Sequence, residues 1–272
     1  METAKITPVI RPTPEMAFDE LADQYDRYFG NPHAHAEDEA LFTIYKEWNG
    51  SASPDCRILD VGCGTGLFLD YALVDHTEYL GIDCSQKMLD KAQDYHPDNE
   101  FLKLDFMDID RDLSKDPRVG GSMHMNRYPP VKEMELQPAE QLVSLFGSLS
   151  YMIPSVWVWQ NIRRCLVPGG KFFIMVYGPR YKKRAGHIVN RLKIPPLSWT
   201  ATARWCKTRL KAAGLVNVKY QGFHALPDKY TIPRSEKDRA GLRDYLVNES
   251  RCLKGSLANL GYFIIFTGER AL

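Results

Sequence analysis

The chain has 272 residues, 44% of them hydrophobic and 25% charged, with 35 Lys plus Arg against 34 Asp plus Glu. That is ample apolar material for a core without disulfide or metal staples. The formal net charge of +1 gives no general attraction to nucleic acid or acidic lipid.

Residues 1–14 hold three prolines and little periodicity, and read as a loose tail. Phe18, Leu21, Tyr25 and Tyr28 then recur at helical spacing, and a second helix is predicted over Glu37 to Trp48. Arg57–Val61 is predicted as a strand that ends in Gly62-Cys63-Gly64-Thr65-Gly66 and leads into a helix. Tyr79–Ile82 is a second strand, followed by Asp83 and a helix with Ser85 as N-cap. Phe101–Leu104 is a third. Strands alternating with helices predict a mostly parallel sheet covered on both faces. Residues 111–140 interrupt this with Pro117, Gly120, Gly121, Pro129, Pro130 and Pro138. A fourth strand is expected at Gln141–Phe146, a helix at Val156–Leu166, a turn at Pro168-Gly169-Gly170 and a fifth strand at Lys171–Tyr177. Residues 179–200 are irregular, with the basic run Arg180, Lys182, Lys183 and Arg184. A helix over Thr202–Ala213 precedes two late strands, Val216–Gln221 and Tyr262–Thr267, with a helical stretch near 235–259 between them. The expected division is a tail and helical cap over 1–50, then one folding unit over 51–272 with insertions at 111–140 and 179–200.

The six cysteines at 56, 63, 84, 165, 206 and 252 have no C-x-x-C spacing. They read as reduced thiols of a cytoplasmic protein, and no metal is expected. Met1–Pro14 lacks the pattern of a signal peptide, and no apolar run is long enough to cross a bilayer.

The chemistry is concentrated in Ile58–Gly66. Glycines between a strand and a helix let a ligand approach the backbone closely. The dinucleotide fingerprint would need glycine at 67, where this chain has Leu67. Asp60, just before the loop, is a poor neighbour for a pyrophosphate and a good one for a cationic ligand. These two residues oppose a nicotinamide oxidoreductase. Asp83, 21 residues after Gly62, can accept hydrogen bonds from both hydroxyls of a ribose.

Residues 57–178 resemble the core of the class I S-adenosylmethionine-dependent methyltransferases, of the small-molecule type. The resemblance rests on five segments in order: Arg57–Gly66, Tyr79–Asp83 with Ser85, Met88 and Leu89, Asp105-Phe106, Phe146–Tyr151, and Leu166–Lys171. It implies a doubly wound α/β fold, Rossmann-like, with a seven-stranded sheet and a reversed last hairpin. It also implies S-adenosyl-L-methionine as cofactor. Gly62, Cys63, Gly64 and Gly66 would pass under the methionine portion, and Asp60 would orient the loop and the amino group. Asp83 would hold the ribose. Cys84 or Met88 would pack near the adenine, with Asp105 and Phe106 at its polar edge. Phe146 belongs to the strand end facing the methyl group. Tyr25 and Tyr28 resemble the N-terminal tyrosines that close over the cofactor.

For the methyl acceptor, Tyr128, Ser148, Tyr151 and Trp199 are the candidate contacts, with Trp157 and Trp205 as further aromatic walls. His124, His187 and His224 are candidate bases, needed only if the nucleophile arrives protonated. The expected reaction is in-line methyl transfer to an oxygen or nitrogen of a small molecule by a monomer or homodimer, with no membrane and no nucleic-acid partner. An RNA or protein methyltransferase and a non-catalytic S-adenosylmethionine-binding module are the alternatives.

Overall fold

A computed structural model describes residues 13–50, 56–72, 78–109, 136–181, 198–225 and 235–272; the side chains of residues 26–28, 236 and 237 are not described. Two helices lead, α1 (Pro14–Phe29) and α2 (Pro32–Asn49). The sheet strands are β1 (Ile58–Val61), β2 (Tyr79–Asp83), β3 (Glu100–Lys103), β4 (Ala139–Ser144), β5 (Leu166–Tyr177), β6 (Leu215–Phe223) and β7 (Phe263–Arg270). They pair in the order β3-β2-β1-β4-β5-β7-β6. Every pairing from β3 to β5 is parallel, and β7 runs antiparallel to both β5 and β6. The sheet is therefore doubly wound with a reversed last hairpin, as expected. Helices α3 (Leu67–Ala72), α4 (Gln86–Tyr95), α5 (Val156–Arg164), α6 (Ala203–Ala212) and α7 (Glu236–Cys252) complete the framework.

Side chains alternate across the strands, so each strand feeds two cores. On one face Leu59, Val61, Leu142, Ile174 and Val176 pack with Val158, Trp159 and Ile162 of α5 and Leu210 of α6. On the other, Ile58, Val143, Phe173 and Met175 pack with Leu41, Phe42 and Tyr45 of α2 and Leu246 of α7. Each such side chain contributes roughly 1.5–3 kcal/mol on burial. Helix starts follow capping chemistry. Asn31 caps α2 by accepting from the amides of His33 and Ala34, with Pro32 in the first turn. Ser85 accepts from the Met88 amide and starts α4.

Three boundaries differ from the sequence reading. Residues 168–170, expected as a turn, lie inside β5. The β4 register there jumps from Ala139↔Leu166 to Gln141↔Lys171, and Gly169 (φ +78°) absorbs the extra chain as a bulge. The fourth strand ends at Ser144 rather than Phe146, because Phe146 (φ +51°) and Gly147 (φ +82°) turn the chain left-handed. The second helix begins five residues earlier than Glu37, at Pro32 behind its cap. Among the described residues no helix is long and apolar enough to cross a membrane.

Candidate functional site

The chain runs outward from β1 to β2 and β3, then returns to the far side of β1 as β4. A crevice opens at such a switch point, beyond the carboxyl ends of the strands. The glycine loop fills its floor. The amides of Gly62 and Cys63 both donate to the Ile82 carbonyl, at 2.8 and 3.1 Å, which fixes the turn against β2. Gly62 has φ +73°, and a Cβ there would stand 2.4 Å from Ser148 Cβ, so only glycine lets the loop close on that residue. Ser148 Oγ donates to the Gly62 carbonyl at 3.1 Å and ties the loop to the end of β4. A Cβ on Gly64 (φ +57°) would meet nothing within 4 Å. It would project into free space, which leaves the backbone bare at the cavity.

That cavity of about 700 Å³, part of it open to solvent, is lined by Val61, Gly62, Gly64, Ile82, Asp83, Cys84, Met88, Leu104, Asp105 and Phe106 together with Pro14, Phe18, Tyr25, Ser148, Tyr151 and Met152. Asp83 is its electrostatic centre. Its Oδ2 accepts from the Gly64 amide at 3.1 Å and its Oδ1 from the Ser85 amide at 2.8 Å. Burial pushes its carboxyl up, and those two amides pull it back toward the ionised form. Beneath the loop lies Asp60, 3% exposed, accepting from the Tyr79 hydroxyl at 3.0 Å. Burial raises Asp60 to about 7, against the Tyr79 hydrogen bond. Asp60 does not line the cavity; it faces Tyr79 from under the turn.

No Lys, Arg or His occurs among the described lining residues. A phosphate-bearing nucleoside would meet a half-buried carboxylate with no compensating cation. A nucleoside carrying positive charge and no phosphate fits, because Asp83 offers its remaining lone pairs to hydroxyls and its charge to the cation. Asp105 lines the cavity and is exposed. It accepts from the Met107 amide at 2.9 Å, and the Phe106 carbonyl is taken by Asn161 Nδ2 at 2.7 Å.

Helix α1 brings Phe18 and Tyr25 to the lining and is pinned to α4 and β3 by polar contacts: Ser85 Oγ donates to Asp19 at 2.6 Å, and Lys103 pairs with Glu15 at 2.9 Å. Phe18 meets Tyr151 edge to face, centroids 5.3 Å apart. Burial raises the Tyr151 hydroxyl to about 12. The Tyr25 hydroxyl is raised further, by burial and then by Asp38, Tyr151, Asp83 and Tyr181. Both therefore stay neutral donors. The Tyr28 side chain lies outside the described ones.

Of the sequence candidates, the cavity gathers Tyr25, Gly62, Gly64, Asp83, Cys84, Met88, Asp105, Phe106, Ser148 and Tyr151. Cys63, Gly66 and Phe146 are not among its lining. Cys63 Sγ sits against Gly81 in the sheet, and Gly66 packs under His96. Phe146 packs with the α2 face instead. Trp199 is 57% exposed, although its amide donates to the Ser150 carbonyl at 2.7 Å. Trp205 is not a cavity wall: it stacks edge to face on Trp159 and carries Arg209 over its ring at 3.5 Å. Trp157 is also absent from the lining. His224 sits in the α2 layer beside Glu37, again outside the lining. His124, Tyr128, His187 and most of the basic run lie outside the described residues; Arg180, which is described, donates to the Leu260 carbonyl at 2.8 Å. Sequence reasoning did not assign Pro14, Phe18 or Met152 to the site. Phe18 shares the helical stripe of Tyr25, and that stripe was the available signal.

Comparison with known proteins agrees with this geometry. A family model described as a methyltransferase domain matches residues 59–172. The carboxy-S-adenosyl-L-methionine synthase of Helicobacter hepaticus is 42% identical over 100 residues, a match covering 34% of this chain and 40% of that protein. An S-adenosylmethionine-dependent methyltransferase structure from Thermotoga maritima superposes with TM-score 0.59 at 12% identity, covering 94% of this chain and 99% of that one. The phosphoethanolamine N-methyltransferase 2 of Haemonchus contortus, in complex with S-adenosylhomocysteine, gives TM-score 0.59 at 16% identity, covering 98% of this chain and 62% of that one. Residues 59–172 thus match a methyltransferase domain in sequence, and the sheet has the fold of the S-adenosylmethionine-dependent methyltransferase structures.

Proposed function

We propose that the protein moves a methyl group from S-adenosylmethionine to an oxygen or nitrogen of a small molecule. The observation that carries this reading is one cavity whose lining combines the Asp83 carboxylate and bare glycine backbone with the side chains of Phe18, Tyr25, Tyr151 and Met152. Asp83 would hold the ribose hydroxyls, Asp105 and Phe106 the adenine edge, and the bare backbone of Gly62 and Gly64 the methionine portion. Met88 and Cys84 pack the base. When bound, the cofactor supplies an electrophilic methyl on a sulfonium. The chain's own task is alignment and the exclusion of water. Positioning of this kind supplies up to about 7–11 kcal/mol of a barrier.

Phe18 and Tyr151 wall the acceptor, and Met152 completes an apolar surface suited to a small organic molecule. Tyr25 and Tyr151, kept neutral by burial, orient the acceptor by donating or accepting one hydrogen bond and do not serve as bases at neutral pH. The likeness to a phosphoethanolamine N-methyltransferase supports a heteroatom acceptor. All six cysteines are free, which suits a reducing, cytoplasmic setting. The protein acts as a monomer or homodimer.

The test is methyl-labelled S-adenosylmethionine incubated with the full chain and, in parallel, a metabolite extract, bulk RNA and bulk protein. Label is expected in low-mass products that gain one methyl. Label in RNA or protein alone overturns the acceptor class. Tight cofactor binding with no transfer in any arm leaves the binding-module alternative.

A further inference from the structure

His33 and Glu37 stand one helical turn apart at the start of α2, on one face of the helix. His224 arrives from the far end of the chain, as the residue after β6. Its backbone is left-handed (φ +54°), an uncommon state for a residue with a side chain. That turn is held open by neighbours. The Tyr262 amide donates to the His224 carbonyl at 2.8 Å, and Glu249 accepts from the Ala225 amide at 2.9 Å. The result is a fully buried imidazole aimed at Glu37. His224 Nδ1 lies 2.5 Å from Glu37 Oε1, and His33 Nδ1 lies 3.6 Å from Glu37 Oε2. The two rings are 5.3 Å apart, and one donor atom from each of the three residues lies within 4.8 Å of the others.

We propose that His33, Glu37 and His224 bind one divalent first-row transition ion of the zinc type. Two imidazole nitrogens and a carboxylate are a donor set such ions favour, with bonds of about 2.0–2.2 Å. Donors on a tetrahedral ion then stand ~3.4 Å apart. The His33–Glu37 spacing already meets that, and a small turn of the Glu37 carboxylate opens the shorter gap. An ion held by His224 Nδ1 and Glu37 Oε1 displaces any proton held between them, and that proton leaves to solvent. Glu37, Asp38 and Glu39 are consecutive acidic residues of α2, and the first two are buried. Arg239 pairs with Glu39 at 3.2 Å. None of the three ligands lines the cofactor cavity. The ion therefore fastens α2 to the last hairpin, and the site is separate from the methyl-transfer chemistry.

The experiment uses the full chain stripped with a chelator, then titrated with Zn(II) and with Co(II). One ion per chain by elemental analysis, a raised unfolding temperature and Co(II) d–d absorption from nitrogen and oxygen donors are the expected results. His33→Ala, at a position 13% exposed, should weaken binding at least ten-fold while leaving S-adenosylmethionine affinity unchanged. Glu37→Gln should do the same. Absence of saturable uptake by the unaltered chain overturns the proposal. Strong thiolate-to-cobalt absorption also does so without any variant, because it would assign the ion to a cysteine such as exposed Cys252. Uptake that survives both substitutions has the same meaning. Loss of cofactor binding in the stripped chain would overturn the separation of the two sites.

Discussion

Asp60, next to last in β1, is buried and Asp83, last in β2, is half-buried, and their partners give them different work. Asp83 faces two backbone amides, so each oxygen is already aligned as an acceptor. Asp83→Asn turns one of those oxygens into a donor facing an amide donor, and it removes the charge. Charge-assisted hydrogen bonds contribute about 1.5–3 kcal/mol each. Calorimetry should show S-adenosylmethionine binding weakened about 10- to 100-fold; unchanged affinity would remove Asp83 from the ribose. Asp60 has one hydroxyl donor and sits under the turn, with its carboxyl raised by burial to about 7. A carboxyl raised on folding costs nothing while both states are protonated, below about pH 4. As pH rises toward 7 the unfolded chain ionises and the folded one does not, so stability falls across that window and levels off above it. Asp60→Asn keeps the Tyr79 hydrogen bond and removes the titration. Urea unfolding of the cofactor-free protein at pH 4.5 and 7.5 should show a smaller loss in the variant than in the parent. An equal loss would mean that Asp60 is ionised in the native state.

At the level of elements, the α1 side of the site depends on one junction. Ser85 caps α4 through its Oγ and donates the same hydroxyl to Asp19 of α1. Ser85→Ala should cost about 1 kcal/mol for the lost cap and loosen α1 as well. Asp19→Ala keeps the cap and loses the Asp19 contacts with Ser85 Oγ and with the Lys87 amide. It should therefore weaken cofactor binding, because Phe18 and Tyr25 ride on α1, with little change in urea midpoint. If Asp19→Ala binds as tightly as the parent, α1 is held by Lys103–Glu15 and its apolar face instead. Ser85, the glycine loop and Asp83 were legible in the sequence because cap, turn and strand-end carboxylate are local patterns. The extent of β5 was not. Pro168-Gly169-Gly170 carries turn chemistry, and only the pairing of β4 on both sides of it makes it a bulge within a strand. Phe18 was legible as a helical face, but not what that face covers, since periodicity gives orientation and not the partner. His33, Glu37 and His224 form no sequence pattern, because 187 residues separate the last two and the sheet order brings them together.

Over the whole molecule, helices α1 and α7 differ in what they pack on and in what they supply to the cavity. Helix α1 packs on α4 and supplies Pro14, Phe18 and Tyr25 to the cavity. Helix α7 packs on α2 and supplies nothing to it. An opening of α1 therefore removes Pro14, Phe18 and Tyr25 from the ligand's enclosure, whereas a local opening of α7 leaves the ligand in place. A ligand suppresses only those openings that release it, by about 2.7 kcal/mol at a free concentration one hundred times Kd. Native-state hydrogen exchange with saturating S-adenosylmethionine should then slow the amides of Pro14–Phe29 by up to about 100-fold relative to the free chain. Exchange from local opening in Glu236–Cys252 should stay as it was. Equal protection of both helices would mean that the ligand acts through global unfolding alone and that α1 is part of the rigid body. Protection of α7 without α1 would move the binding site to the other face of the sheet and detach the cap from the cofactor. The comparison uses one sample and one ligand, so the two helices serve as each other's control.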